Sequence, residues 1–73
     1  MPRQDIHVVP AGDRWAVEAE GGHGRETFDT QEEAIAAGTA RAKDKQVELF
    51  IHGQDGQIRE RNSFGHDPRD IKG

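Results

Sequence analysis

The sequence predicts an α+β fold in the order β-β-α-β-β, with a four-stranded, mainly antiparallel sheet and one helix packed on one face. Two turn signals, Gly12-Asp13 and Asp55-Gly56, each separate a pair of segments in which apolar residues alternate with period two. Between these pairs, small and apolar residues recur at helical spacing. Because one helix covers only one face of a sheet, the other face is expected to be open.

The first pair of strands is predicted over residues 5–10 and 14–19. With Gly12 as the first turn residue, a type II′ loop is natural, because that position needs a positive φ. This loop pairs Val8 with Val17 and Val9 with Ala16. The apolar residues Ile6, Val8, Trp15 and Val17 then share one face, which supports the register because a slip by one residue would scatter them.

The helix is predicted from Gln31 to about Lys43. Thr30 and Glu33 form a capping box, in which the threonine hydroxyl accepts from the third amide of the helix. The buried stripe is rich in small residues, namely Ala34, Ile35, Gly38 and Ala42. A glycine inside a helix costs about 1 kcal/mol relative to alanine, so Gly38 indicates close approach of the helix to the sheet.

The second hairpin is the best-specified stretch, because Asp55-Gly56 fits a two-residue type I′ turn after the alternating strand Gln46 to His52. That turn pairs Gly53 with Ile58, His52 with Arg59, Ile51 with Glu60 and Phe50 with Arg61. Paired residues share a face. We therefore expect Ile58 on the helix side with Val47, Leu49 and Ile51, and Phe50, His52, Arg59 and Arg61 on the open side.

Chain length and composition predict a single α+β domain over residues 1–62, followed by an irregular C-terminal tail over residues 63–73 with Phe64 as its anchor. The chain has 73 residues, of which 32% are hydrophobic and 33% charged, so the core is lean and burial by a partner would help it. It has no cysteine, which excludes disulfides, thiolate metal sites and a cysteine nucleophile.

Charge and hydropathy limit the classes of partner. The formal net charge is −4, with three basic and eight acidic side chains in residues 1–40 and seven and six in residues 41–73, which is unfavourable for general nucleic-acid binding. The sequence begins without the apolar run of a signal peptide and has no stretch approaching the roughly 20 apolar residues of a membrane span. We therefore expect a cytoplasmic protein that does not bind membranes.

Several spaced motifs resemble one family over nearly the whole chain. They are His7-Val-Val-Pro, Gly12-Asp-x-Trp-x-Val, Asp29-Thr-Gln-x-Glu-Ala, Ile51-His-Gly-x-Asp-Gly-x-Ile-Arg-Glu, and Ser63-Phe-Gly-x-Asp-Pro before Lys72-Gly73. Together they resemble DUF2188, a family of small bacterial domains of unknown function. The resemblance implies relatives of this layout and supplies no activity, cofactor or catalytic residue.

No constellation in the sequence predicts catalysis or a cofactor. Ser63 lacks a nucleophile elbow, and Glu32 and Glu33 are typical first-turn helix charges, so we expect no enzymatic activity. The histidines His7, His23, His52 and His66 match no recognised ligand spacing, so no metal site is predicted, although His7 and His52 would lie close together if their strands were neighbours.

The open face is the candidate functional surface. Its expected interaction residues are Val9, Phe50, His52, Arg59 and Arg61. A half-apolar sheet face beside a lean core favours association with a protein partner or with a second copy of the chain. The alternative is a nucleic-acid-binding module in which Phe50 and His52 stack on bases while Arg59 and Arg61 contact phosphates. A merely solvated antiparallel face would look the same in sequence.

Overall fold

A computed structural model describes residues 5–64 as one helix lying on one face of a five-stranded mixed sheet. The elements follow one another as β1 (Ile6–Ala11), β2 (Arg14–Ala19), a 3-10 turn (Glu20–Gly22), β3 (Glu26–Phe28), α1 (Gln31–Lys45), β4 (Glu48–His52) and β5 (Ile58–Ser63). The strands lie side by side in the order β3-β2-β1-β4-β5. No helix in this part of the chain is long and apolar enough to cross a membrane.

The α+β class with one helix is confirmed, but the prediction of a four-stranded, mainly antiparallel sheet is wrong in strand number. A fifth strand, β3, pairs with β2 and places Phe28 opposite Trp15. The sheet is also mixed, because β1 and β4 run parallel at its centre. The helix starts after the edge strand β3 and crosses the sheet, so that β4 enters on the far side of β1. The Asp5 carboxylate accepts from the Glu48 amide at 3.2 Å and ties the starts of these parallel strands together.

The first hairpin has the predicted register, with Val8 opposite Val17 and Val9 opposite Ala16. Gly12 has a φ of +68°, whereas Asp13 has no positive φ, which is the combination a type II′ turn requires. This hairpin delivers Trp15 and Val17 to the helix side, where both are buried.

The helix begins as predicted and ends two residues later than expected, at Lys45. The Thr30 hydroxyl accepts from the Glu33 amide at 3.1 Å, and Gln46 ends the helix in the left-handed conformation with a φ of 57°. A Cβ on Gly38 would lie 3.0 Å from Leu49 Cδ1 and 3.1 Å from Val8 Cγ2. The predicted close approach of helix and sheet is therefore confirmed.

The core lies between α1 and the sheet. Its buried members are Ile6, Val8, Trp15, Val17, Ala19, Ala34, Ala42, Val47, Leu49 and Ile51. Phe64 packs against this core, its amide donates to the Val47 carbonyl at 3.3 Å, and Lys43 Nζ lies 5.9 Å from its ring centre. The anchor predicted for the end of the domain is thus present, and β5 extends to Ser63, the first residue of the predicted tail. The rest of that tail lies outside the described residues.

The second hairpin departs from the prediction at its turn. Asp55 has no positive φ, which a type I′ turn would need, while Gly56 has a φ of +84°. The Gly53 amide donates to the Gln57 carbonyl at 2.7 Å, and the Gly56 amide donates to the Gly53 carbonyl at 2.9 Å. The loop therefore has three residues, 54–56, and not two.

A bulge in β5 then restores the predicted register. Ile51 faces Glu60 and Phe50 faces Arg61 as expected, but His52 faces Ile58 instead of Arg59. Because paired residues share a face, Ile58 leaves the helix side on which it was expected and joins His52. Ile58 is 55% exposed and is the exposed large hydrophobic residue of the described chain, so its assignment to the core is wrong.

Candidate functional site

The side of the sheet that α1 leaves uncovered is named the open face. The strand registers bring together on it side chains from all five strands, namely His7, Val9, Ala16, Glu18, Thr27, Phe50, His52, Ile58 and Arg61. Ala16 is fully buried there although it does not belong to the core cluster beneath the helix. The face is thus a mixed surface with apolar, aromatic and charged members.

His7, Phe50 and His52 form a ring cluster at the centre of this face. The parallel pairing of β1 with β4 sets His7 directly beside Phe50. Their rings are stacked, with centroids 5.1 Å apart and an interplanar angle of 19°. The centroid of the His52 ring lies 5.3 Å from that of the His7 ring. Packing against Phe50 restricts the orientation of the His7 imidazole.

All four imidazole nitrogens of the two histidines take part in one chain of contacts. His7 Nε2 lies 3.2 Å from Glu20 Oε2, and His7 Nδ1 lies 3.1 Å from His52 Nε2. His52 Nδ1 lies 3.0 Å from the carbonyl oxygen of Gly56. The chain therefore runs from a carboxylate through two imidazoles to a backbone carbonyl.

The acceptors at the two ends determine where the protons lie. An ionised carboxylate and a carbonyl oxygen only accept, so His7 Nε2 and His52 Nδ1 both donate. If both rings are neutral, each then has a bare lone pair on its inner nitrogen, and the two lone pairs face each other across 3.1 Å. The inner nitrogens are therefore the two positions of this chain of contacts at which a lone pair is available.

The structure places four of the five predicted interaction residues on the open face and Arg59 elsewhere. Val9 and Phe50 lie half-buried on the open face, and Arg61 lies opposite Phe50 as expected. His52 joins the ring cluster. Arg59 does not face His52, because the bulge removes it from that pairing.

Arg59 instead lies at the turn. Its Nη2 donates to Asp55 Oδ2 at 3.2 Å, and its Nε would lie 2.6 Å from a Cβ on Gly53. Position 53 alternates with His52 along the strand, so the Arg59 guanidinium lies over the helix side of the sheet end. The expected pair of arginines on the open face is reduced to Arg61.

The open face carries charges of both signs on each side of the ring cluster. Arg14 and Glu18 alternate along β2, and Glu20 follows directly after that strand. Glu48 lies on β4, and Arg61 lies on β5. Carboxylates and guanidiniums are therefore mixed across the face.

Sequence reasoning missed Glu20 and Ile58 as members of this surface. Glu20 belongs to a glycine-rich segment expected to be irregular, yet its amide donates to the Asp5 carbonyl at 2.9 Å and the Ala19 amide donates to the His23 carbonyl at 2.8 Å. These bonds hold the start of the loop against β1 and bring the Glu20 carboxylate to His7. The spacing of β2 and the loop carried no signal for that contact.

A concave region lies away from the open face, between the glycine-rich loop and α1. It is a depression of about 310 Å³ lined by Ala19, His23, Gly24, Arg41 and Lys45. The Arg41 guanidinium there already donates to the Gly24 carbonyl at 2.8 Å and to Glu26 Oε1 at 2.9 Å. Its main cation is therefore used to hold the glycine-rich loop on the helix.

Within residues 5–64, no group of three or more His, Cys, Asp or Glu side chains is arranged to hold a metal ion. His7 and His52 are the pair brought together, and His23 lies in the loop apart from them. His66, the fourth histidine of the sequence, lies outside the described residues.

Comparison with known proteins gives one match. The model of a family described as uncharacterised protein conserved in bacteria, DUF2188, matches residues 6–64, which span every strand and the helix. No curated protein and no solved structure matches the chain.

Proposed function

We propose that this chain, which belongs to the uncharacterised bacterial family DUF2188, is a non-enzymatic module. It associates with a second copy of itself through the open face. The observation that carries the proposal is the apolar content of this face. Val9 and Phe50 are half-buried in a face that no element of residues 5–64 covers, and Ile58 is 55% exposed beside His52.

The bulge in β5 adds to the apolar surface of the open face. Without it, Ile58 would point to the helix side, where a large side chain would gain core contacts. With it, Ile58 and Phe50 lie on the same exposed surface. Exposed apolar groups grouped on one face, with charged groups around them, are typical of interaction sites in small proteins.

The mixed charges of the open face are compatible with a second copy as the partner. A two-fold axis parallel to the strands would bring the β2 side of one copy, with Arg14 and Glu20, over the β4 and β5 side of the other, with Glu48 and Arg61. In such an isologous contact each opposite-charge pair would occur twice. Apolar contacts in the centre and paired charges at the rim are the usual arrangement of such an interface.

Replacing Phe50 by Asp tests this proposal. Burying a carboxylate in place of the Phe50 ring costs desolvation free energy and removes the central apolar contact, so the variant is expected to be monomeric where the wild type is dimeric. Light scattering coupled to size exclusion measures the mass. The matched control is Ala40→Asp, which adds the same charge at an exposed position of α1 and should leave the dimer intact.

The measurement separates the alternatives. A wild type that remains monomeric up to about millimolar concentration, where even weak dimers form, contradicts self-association. Purification of the monomeric chain in a defined complex with another protein, lost in Phe50→Asp, would replace the second copy by that partner. Dimers that persist equally in Phe50→Asp would mean that another surface is responsible.

Nucleic-acid binding is the second candidate, and the observation that favours it is the position of Arg61 directly opposite Phe50. An aromatic ring with a guanidinium beside it suits stacking on a base together with a phosphate contact. Two contacts weigh against it, since His7 already covers one face of the Phe50 ring and Arg59 is paired with Asp55.

The variant Arg61→Glu tests this candidate, because Arg61 is the arginine opposite Phe50. It is expected to abolish a salt-sensitive mobility shift of labelled single-stranded RNA or DNA, because the lost phosphate contact removes counterion release. Lys45→Glu, at the exposed last turn of α1 on the other side of the sheet, is the control for net charge. Absence of any shift with the wild type at low salt excludes this candidate.

A further inference from the structure

The inner nitrogens of His7 and His52 are placed as the ligands of one ion. We propose that this pair is a two-imidazole binding site for a single divalent transition cation that prefers imidazole nitrogen, with Zn²⁺ as the ion to test. The proposal concerns each chain by itself and does not depend on self-association.

The distance between the two nitrogens fits a shared ion. Zinc binds imidazole nitrogen at about 2.0 to 2.1 Å, and ligand angles from square to tetrahedral then separate two nitrogens by about 2.9 to 3.4 Å. His7 Nδ1 and His52 Nε2 are 3.1 Å apart, within that interval. The centroid separation of 5.3 Å places the two lone pairs nearly in line with each other, so both rings would have to tilt for their lone pairs to meet at one ion.

The outer nitrogens are already held in the way that metal-bound histidines require. A ligating imidazole usually donates its other N–H to a carboxylate or a backbone carbonyl, which fixes the tautomer and raises the basicity of the ligand. His7 donates to the Glu20 carboxylate and His52 donates to the Gly56 carbonyl. Both rings thus direct a lone pair inward, and the stack on Phe50 restrains the His7 ring.

The charges near the pair also favour a cation. Glu20 contacts His7, and Glu18 is the cross-strand neighbour of His7 on β2, although it is paired with Arg25. Arg61 is the cation on the other side, one residue pair away, opposite Phe50. The charged group in direct contact with the two histidines is therefore the Glu20 carboxylate.

The described residues supply two protein ligands and no third. Water completes the coordination, as at metal sites that keep open positions, so the affinity is expected to be moderate.

Isothermal titration calorimetry with Zn²⁺ tests the site. We expect one ion per wild-type chain and a loss of at least about tenfold in affinity for His7→Gln and for His52→Gln. His23→Gln is the matched control, because His23 lies in the loop away from the pair, and its affinity should stay within about twofold.

Glu20 provides a second pair of variants. Glu20→Gln should weaken Zn²⁺ binding by about tenfold, as loss of a carboxylate behind a ligating histidine does. Glu33→Gln, on the exposed first turn of α1, should not. Nitrogen-15 spectra of the wild-type imidazoles give a readout that requires no variant to fold, since the signals of His7 and His52 should shift together at one equivalent of Zn²⁺ while that of His23 stays in place.

Three results would overturn the site. They are the absence of saturable Zn²⁺ binding below about millimolar concentration, affinity that falls as much in His23→Gln as in His7→Gln, and imidazole shifts at His23 or His66 in place of the pair.

Discussion

At the scale of single residues, Trp15 is the side chain whose removal is expected to cost the most stability. It is 8% exposed, belongs to the core cluster and faces Phe28 across β2 and β3. The alternation of β2 predicted its orientation correctly, because a tryptophan on the helix side of a lean core supplies a large part of the available apolar area. Its removal therefore leaves a cavity that few neighbours can fill.

Trp15→Ala is expected to lower the free energy of unfolding by about 3 to 5 kcal/mol, the usual range when a large aromatic is removed from a core. Chemical denaturation monitored by circular dichroism measures it. Ile58→Ala provides the control, because a side chain that is 55% exposed should contribute little to folding of the monomer. Equal losses in the two variants would contradict the assignment of their faces.

Gly38 and Ile58 show which residue-level features can be predicted from the sequence. Gly38 sits at a regular position of a regular helix, so its spacing alone indicated that it faces the sheet, and the 3.0 Å and 3.1 Å distances to Leu49 and Val8 confirm it. Ile58 lies one residue after an irregular turn. Its orientation depends on a bulge for which alternation provides no signal.

At the scale of elements, the second hairpin shows how one dipeptide fits two turns. Asp-Gly suits a type I′ turn, but it equally suits a type I turn followed by glycine in the left-handed region. In this chain the Asp55 carboxylate accepts from the Gln57 amide at 3.1 Å and from Arg59, which favours the second form. The dipeptide alone does not distinguish the two turn types, because the contact between Arg59 and Asp55 forms only in the folded loop.

Gly56→Ala tests the loop at this scale. Gly56 has a φ of +84° and open space where a Cβ would be, so the substitution introduces backbone strain without a clash. Left-handed backbone costs an L-residue about 1 to 2 kcal/mol, and the hairpin should lose stability by about that amount. Gly56→Asn should lose less, because asparagine tolerates the left-handed region. An unchanged unfolding midpoint in Gly56→Ala would contradict the loop geometry.

The other element-level departure is β3 and the parallel pairing that accompanies it. Glu26–Phe28 is a three-residue strand with one large apolar member, too short to produce an alternating pattern. It is defined by the partner strand β2 and by Arg41, which reaches from α1 to Glu26. Strand neighbours set by such distant contacts cannot be inferred from local periodicity.

At the scale of the whole molecule, the strand order creates the candidate site. His7 and His52 are 45 positions apart, and they meet because β4 lies beside β1 and parallel to it. The sequence predicted that both point to the open face, but their contact required the β1–β4 pairing that only the assembled sheet provides. Glu20 joins them through loop hydrogen bonds for the same reason.

Within residues 5–64, the same strand order leaves one sheet face covered by α1 and the other uncovered, and this gives the last prediction. If two copies associate through the open face, folding and association are linked, so the melting temperature should rise with chain concentration. For a chain of this size the rise is expected to be about 3 to 6 °C for each tenfold increase. Differential scanning calorimetry over a hundredfold range of concentration measures it.

The Phe50→Asp variant gives the internal reference for that measurement. As a monomer it should melt at one temperature at every concentration, whereas Ala40→Asp should follow the wild type, because position 40 lies on the exposed side of α1. A concentration-independent melting temperature in the wild type would mean that the lean core beneath the helix is sufficient for stability. The uncovered face would then be a solvated one, and its ring cluster would have to be explained by ion binding alone.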